Sequence, residues 1–185
     1  MRVFAALVPP DHAVEDLADF LAPRRDDPAA RALSWSRPES WHVSLAFMES
    51  AAPNAVDLFI ERLGEGTLVV QVPPLQVSGG GAFPVVERAT VLYASIPSSD
   101  ALTRLSERVR SAAAVTGCAP DGRAFVPHLT LARSRRPIEA TRWVRVLDTY
   151  RGPSWEATEV SVIESHLRSR GPRYTTLAQV PFHLH

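Results

Sequence analysis

Two short segments of the chain repeat one arrangement of chemically useful side chains. They lie 86 residues apart in a chain of 185 and read His42-Val43-Ser44-Leu45-Ala46 and His128-Leu129-Thr130-Leu131-Ala132. In each copy a hydroxyl residue follows the histidine at the second position, and aliphatic residues fill the positions between. Since successive side chains of a β-strand point to opposite faces, a strand places the imidazole and the hydroxyl on one side, about 6.5–7 Å apart.

If both strands border one site, two imidazoles and two hydroxyls converge there, which suits an oxyanion such as a phosphate. Histidine titrates near neutrality, so one ring can accept a proton while another donates one. Phosphodiester hydrolysis needs both, a base to activate water and an acid to protonate the departing alkoxide, each contributing about 10² to 10⁴-fold. Hydroxyls and an arginine would hold the nonbridging oxygens.

Other interpretations of these motifs fit less well. A lone histidine on a strand is usually structural, but a matched pair in matched halves favours a site. We expect no metal and no other cofactor, because neither motif has a carboxylate or cysteine beside it or a third histidine at ligand spacing. Neither Ser44 nor Thr130 lies on the glycine-flanked turn of a serine nucleophile. The remaining histidines lack the repeated context and are expected to be structural, surface or flexible-tail residues: His12, His166, His183 and His185.

The composition is that of an ordinary globular protein, with 45% hydrophobic and 22% charged residues. No apolar run approaches the roughly 18 residues that span a bilayer, and the first ten residues predict a strand stopped by two prolines rather than a signal peptide. The single cysteine, Cys118, cannot form an internal disulfide. We therefore expect a cytoplasmic monomer with no membrane partner.

Charge is distributed unevenly although the net charge is zero. Residues 1–92 contain 7 arginines against 12 acidic residues, and residues 93–185 contain 13 against 8. This asymmetry fits an anionic ligand held mainly by the second half, or simply two solvated surfaces of opposite charge. Overall neutrality argues against a long nucleic-acid-binding track.

The order of strand, helix and motif strand occurs once in each half of the chain. Strands are predicted at 2–8, 33–35, 41–47, 67–77, 89–96, 125–132, 158–167 and 173–180. Helices are predicted at 11–21, 53–63, 100–116 and 137–147, with Asp11 capping the first, and "SGGGAFP" is predicted to be a turn. We expect an α+β protein of two similar lobes, about residues 1–85 and 86–185, with strand exchange between them allowed.

The paired motifs resemble the signature of the 2H phosphoesterase superfamily, above all its bacterial and archaeal RNA 2′,3′-cyclic phosphodiesterases, also called RNA 2′–5′ ligases. The similarity runs nearly end to end. The family's opening strand is matched by "RVFAALVPP" and its closing hairpin by "VIESHLRSRGPRYTTL". Its two signature tetrads are matched by "WHVSLAF" and "PHLTLAR". The resemblance implies a bilobal LigT-like fold of two antiparallel sheets with helices outside, and a central cleft that opens cyclic phosphates without metal.

The resemblance also implies roles for individual residues. One histidine is the acid and the other the base; by analogy His42 is the proton donor and His128 the acceptor, although the reverse assignment stays open. Ser44 and Thr130 would contact the phosphate. Two departures concern the first motif, which has Ser44 where threonine is commoner and Met48-Glu49 where the family often has Leu-Gly.

Arg133, directly after the second motif, matches a family arginine associated with the phosphate. Strict alternation places it on the face opposite His128, so it would have to curl round the strand end or follow a bulge. Alternation likewise places Phe47 opposite His42. Phe4, Phe47 and Tyr174 match positions where the family has aromatic residues near the site, and each could equally be a core residue.

The function expected from these features is hydrolysis of RNA or nucleotide 2′,3′-cyclic phosphate ends to 2′-phosphates, with 2′–5′ ligation as the reverse. One alternative is a module that binds phosphorylated RNA ends without turnover. Another is an esterase for a different small cyclic phosphate or an acyl or carbamoyl-type substrate. Two titrating groups favour an enzyme over a binding module.

Overall fold

Two four-stranded antiparallel sheets organise the chain in a computed structural model that describes residues 1–183. The strands are β1 Val3–Leu7, β2 Ser34–Trp35, β3 Val43–Met48, β4 Gly80–Val85, β5 Arg88–Ser95, β6 His128–Ile138, β7 Glu159–His166 and β8 Arg173–Pro181. The helices are α1 Asp11–Arg25, α2 Pro53–Arg62, α3 Asp100–Val115 and α4 Thr141–Leu147. Within the described residues, none of these helices has the length and apolar character needed to cross a membrane.

The first sheet has the strand order β3-β1-β7-β8 and the second β2-β6-β5-β4. The predicted α+β class with antiparallel sheets is confirmed. Each sheet draws strands from both halves of the chain, since β7 and β8 complete the first sheet and β2 and β4 belong to the second. A boundary at residue 85 therefore does not separate the two sheets.

β1 lies at the centre of the first sheet and is buried on both faces. Val3, Ala5 and Leu7 belong to the main hydrophobic core, which includes residues of both sheets and of the helices. The alternate residues point to the other face, which we call the site face. It carries a small separate cluster of Phe4, Ala6, Ile163, Phe47 and Tyr174.

The helix α3 forms as predicted. Its N-terminus is capped by Ser99, whose hydroxyl accepts a hydrogen bond from the backbone N–H of Leu102 at 3.1 Å. Leu102, Leu105 and Val109 are fully buried. This apolar face packs onto the strand that carries the first motif.

The ends of α1 differ from the prediction. Pro10 occupies the N-cap position, so Asp11 is the first helical residue and no side chain caps the helix. The helix also continues beyond Leu21 to Arg25. Arg24 stabilises this last turn, because its guanidinium donates a hydrogen bond to the carbonyl of Phe20 at 2.6 Å and lies over the Phe20 ring.

Two predictions for the middle of the chain are wrong. Residues 67–77 form no strand and make only isolated bridges, such as Leu75 with Trp155, because two consecutive prolines interrupt the backbone donors. The segment "SGGGAFP" is mostly the strand β4 rather than a turn. Its glycines allow close packing, since a Cβ at Gly80 would overlap Leu147 and one at Gly81 would overlap Tyr93.

Two further differences concern the C-terminal half. β6 continues to Ile138, so α4 begins at Thr141 instead of residue 137. His183 is not part of a flexible tail, since its backbone N–H bonds to the Leu68 carbonyl at 3.0 Å and its ring to the Gly64 carbonyl at 3.1 Å. His185 lies outside the described residues.

Candidate active site

His42 and His128 meet where the two sheets lie against each other. His42 immediately precedes β3, His128 is the first residue of β6, and these strands are in contact. The rings are close enough that the charge of His128 lowers the pKa of His42. The two repeated motifs therefore share one site.

Both imidazoles are fixed in the same way by the backbone. Nδ1 of His42 lies 2.8 Å from the carbonyl oxygen of Ser40, and Nδ1 of His128 lies 2.6 Å from that of Val126. A carbonyl oxygen can only accept, so Nδ1 carries the proton in each ring. The neutral rings consequently present an unprotonated Nε2, which is the atom available for proton transfer.

Aromatic residues surround His42. Phe4 stacks on its ring with a centroid separation of 4.4 Å, and Tyr174 contacts it edge-on at 5.5 Å. The rings of Phe4 and Tyr174 also contact each other, at 5.1 Å. The structure thus brings these two sequence-predicted residues directly against the first histidine.

The surroundings of His128 include two aromatic residues that were not predicted. Phe83 and Tyr93 lie 5.1 and 5.2 Å from its ring and stack on each other at 4.4 Å. Tyr93 is directly opposite Thr130 in the pairing of β5 with β6. Only this long-range register connects Tyr93 with the motif, so no local sequence signal identifies it.

A β-bulge interrupts each motif strand at the same residue of the repeat. In the first sheet Ala5 pairs with Ala46 and Ala6 with Ser44, which leaves Leu45 unpaired. In the second, Leu92 pairs with Ala132 and Tyr93 with Thr130, which leaves Leu131 as the extra residue. Such a bulge shifts the alternation of side chains by one position.

The bulges correct the expected orientation of Phe47 and Arg133. The leucine and alanine of each motif both enter the main core, so the next residue turns to the side of the histidine. Phe47 accordingly packs in the site-face cluster rather than opposite it. Arg133 is exposed, and its charge lowers the pKa of both His42 and His128.

The two motif hydroxyls lie beside these groups. Ser44 and Thr130 are half-buried, and each is flanked by buried aliphatic residues on its strand. Within residues 1–183 neither hydroxyl has a hydrogen-bond partner, so both retain a free donor and free acceptors. The two motif strands thus carry two imidazoles, two hydroxyls and a guanidinium, side chains of the kind that bind a tetrahedral anion.

A sequence model of the 2′-5′ RNA ligase superfamily matches residues 9–168. The chain belongs to this superfamily. The RNA 2′,3′-cyclic phosphodiesterase of Aeropyrum pernix is 28% identical over 147 residues, which cover 77% of this chain and 82% of that protein. The RNA 2′,3′-cyclic phosphodiesterase of Geobacillus stearothermophilus is 24% identical over 80% of this chain. The match covers 47% of that protein, so this chain spans about half of the relative's length.

Solved structures of low sequence identity share the fold of this chain. TT0787 of Thermus thermophilus superimposes with a TM-score of 0.75 at 22% identity, covering 98% of both chains. Escherichia coli LigT complexed with 3′-AMP gives a TM-score of 0.73 at 24% identity, covering 98% of this chain and 97% of that one. The predicted LigT-like fold is confirmed.

The electrostatics of this superfamily member differ from the simple expectation of one neutral and one charged histidine. Burial is the main cause that lowers the pKa of His42 to about 4, with smaller contributions from His128 and Arg133. The pKa of His128 is also lowered, again chiefly by burial and then by Arg133. Both environments therefore favour the neutral ring near pH 7 in the free protein, and a nearby negative charge would favour the protonated form.

Within residues 1–183, no three or more His, Cys, Asp and Glu side chains are grouped so that they could hold a metal ion. The side chains described at the site are two imidazoles, two hydroxyls and one guanidinium. These groups can bind an oxyanion and transfer protons to and from it.

Proposed function

We propose that the protein hydrolyses 2′,3′-cyclic phosphate ends of RNA or nucleotides to 2′-phosphates, using His42 and His128 without a metal. The observation that carries this proposal is the matched fixation of both imidazoles through Nδ1, which leaves each Nε2 free at a shared site. The names of the relatives from Aeropyrum pernix and Geobacillus stearothermophilus support the same reaction.

The cyclic phosphate binds between the two motifs. Arg133 and the hydroxyls of Ser44 and Thr130 hold its nonbridging oxygens through hydrogen bonds, of which those from the guanidinium are charge-assisted. The bound negative charge also opposes the burial that keeps His42 neutral. Substrate binding therefore raises the pKa of His42 and allows it to enter the reaction protonated.

The chemical step transfers one proton at each histidine. Nε2 of His128 accepts a proton from water as the water oxygen bonds to phosphorus. The bond from phosphorus to O3′ breaks, and the proton on Nε2 of His42 passes to that oxygen. One water is consumed, the product carries a 2′-phosphate and a 3′-hydroxyl, and proton exchange with solvent restores the histidines.

The local environments support this assignment of roles. His42 is the more enclosed ring, so a bound negative charge acts on it strongly and favours the protonated form that donates a proton to the leaving oxygen. His128 lies in a more exposed position, where a base can take up a proton from water. A 5′-hydroxyl in place of water would give a 2′–5′ linkage, so the proposal includes ligation through the same geometry.

The direct test is incubation of the purified protein with adenosine 2′,3′-cyclic phosphate and, in parallel, adenosine 3′,5′-cyclic phosphate. We expect turnover of the first substrate alone, with 2′-AMP identified by phosphorus NMR. Binding of 2′-AMP without turnover would instead identify a binding module. Formation of 3′-AMP would contradict cleavage at O3′.

A further inference from the structure

A second cation, Arg2, lies on the site face beyond Phe4. Arg2, Phe4 and Ala6 are alternate residues of the same extended segment, so they point to one side. The guanidinium carbon of Arg2 is 4.7 Å from the centre of the Phe47 ring. Arg2 also acts on Tyr174, whose pKa is raised by burial and lowered in part by Arg133 and Arg2.

The guanidinium of Arg2 makes few polar interactions with the described residues. Among residues 1–183 its one ion pair is with Glu49, at 3.5 Å, and the Glu49 side chain is 79% exposed against 34% for Arg2. Nε of Arg2 is buried and has no hydrogen-bond partner among the described residues. A guanidinium has five donors, so most of its binding capacity is unused. A buried donor without a partner is destabilising unless a ligand completes it.

The position of Arg2 separates it from the reacting phosphate. Phe4 stacks on His42, and Arg2 lies two residues further along the strand, about 6.5–7 Å away. Arg133 lowers the pKa of His42 and therefore lies near the reacting position. Arg133 and Arg2 both lower the pKa of Tyr174, which is therefore their common neighbour.

We propose that Arg2 binds the phosphodiester on the 5′ side of the terminal nucleotide, so that the preferred substrate is the 3′ end of an RNA chain rather than a free cyclic nucleotide. This inference rests on the proposed function. Phe4 contacts His42 and Phe47 contacts the Arg2 guanidinium, so the sugar and base of the terminal nucleotide would pack against these two rings.

The hairpin of β7 and β8 continues the positive surface beyond Arg2. The backbone N–H of Ser165 donates to the Arg2 carbonyl at 2.8 Å, so the hairpin leaves the sheet at this end. Three exposed arginines occupy its turn and the strand beginning after it: Arg168, Arg170 and Arg173. Within the described residues none of them forms an ion pair. A polyanion leaving the site past Arg2 would meet these groups next.

The test compares kcat/KM for the dinucleotide ApA with a 2′,3′-cyclic phosphate end and for adenosine 2′,3′-cyclic phosphate. We expect the wild type to prefer the dinucleotide by about 10- to 100-fold, the range for hydrogen bonds to a charged group. Arg2→Gln should bring this ratio to within a few-fold of one, whereas the control Arg31→Gln, an exposed arginine on a different segment, should keep it. Equal values in the wild type would overturn the inference while leaving the proposed function intact. A preference that survives Arg2→Gln would also overturn it.

A binding measurement keeps the inference testable without turnover. Calorimetry should show that the wild type binds adenosine 2′,5′-bisphosphate about 10- to 100-fold more tightly than 2′-AMP. Arg2→Lys, which keeps the charge, should retain part of this difference if Arg2→Gln does not fold. Equal affinities in the wild type would overturn the inference. A retained difference with no hydrolysis of any substrate would reject the proposed reaction alone.

Discussion

Leu45 and Leu131 hold equivalent places in two strands that lie 86 residues apart, each as the extra residue of a β-bulge within the repeated motif. Because of these bulges, the residue that follows each alanine turns to the side of the histidine. In the first motif that residue is Phe47 and in the second it is Arg133. The same type of β-bulge thus places an aromatic ring in one half of the site and a positive charge in the other.

The position of Arg133 predicts a large effect on substrate binding. Arg133→Ala should raise KM and lower kcat/KM by about 10- to 100-fold, since a hydrogen bond to a charged group contributes about 1.5–3 kcal/mol. Removing its charge should also shift the pH–rate profile upward, because Arg133 lowers the pKa of both histidines. Steady-state kinetics across pH measure both effects.

Arg135→Ala and Arg136→Ala are the matched controls, since both side chains are exposed on the same strand beyond Arg133. We expect each to change kcat/KM by less than about two-fold, as for exposed charges of small energetic effect. Equal losses in all three variants would show general attraction by the basic half of the chain instead of a specific phosphate contact.

The paired histidines predict strongly non-additive kinetics. His42→Ala and His128→Ala should each lower kcat by about 10² to 10⁴-fold, and the double variant should lose far less than the product of the two effects. Circular dichroism should show folded protein in every case. Near-normal turnover in either folded single variant would contradict the acid–base pair.

The lowered pKa of His42 predicts a pH-dependent stability. The folded protein disfavours the charged ring, so between pH 6.5 and about 4 the unfolded state binds more protons and the free energy of unfolding falls as pH decreases. The slope from this group is at most about 1.4 kcal/mol per pH unit. Denaturant titrations should show that His42→Gln removes this part of the dependence, and NMR should show that 2′-AMP raises the pKa of His42. A ring that titrates near 6.5 without ligand would contradict this account.

The close packing around Gly81 predicts that the Tyr93 ring can keep its position only if residue 81 has no side chain. A Cβ at residue 81 would overlap the Tyr93 ring, which contacts His128. Gly81→Ala should therefore destabilise the protein by about 1–3 kcal/mol through overpacking and should lower kcat. Gly122→Ala has open space around it and is the control, with an expected change within about 0.5 kcal/mol. The same thermal shift in both variants would argue against a packing role for Gly81.

Local patterns were sufficient to predict the histidine pair, the closing hairpin and the helices α2 and α3, because each depends on residues close in the chain. Strict alternation placed Phe47 and Arg133 on the wrong face, since a bulge arises from pairing with a distant strand and leaves no signal in that pattern. The family resemblance alone associated these two residues with the site. Phe83 and Tyr93 could not be predicted for the same reason, because they contact His128 only through the pairing of β4, β5 and β6.

The glycine run at residues 79–81 shows a related difficulty. Consecutive glycines are typical of turns, yet here Gly80 and Gly81 belong to a strand because Leu147 and Tyr93 pack against the backbone. The partners that require small residues are distant in sequence. The glycine content of the segment therefore could not distinguish a closely packed strand from a flexible turn.

If the two histidines hydrolyse the cyclic phosphate without a metal, turnover does not require a bound metal ion. The most direct measurement is turnover of adenosine 2′,3′-cyclic phosphate by extensively chelated protein in EDTA. We expect a rate within about two-fold of that without chelator, and at least the roughly 10²-fold loss expected of a missing acid or base in His42→Ala and in His128→Ala. A rate lost in EDTA and restored by Zn²⁺ or Mn²⁺ would contradict the metal-free reaction.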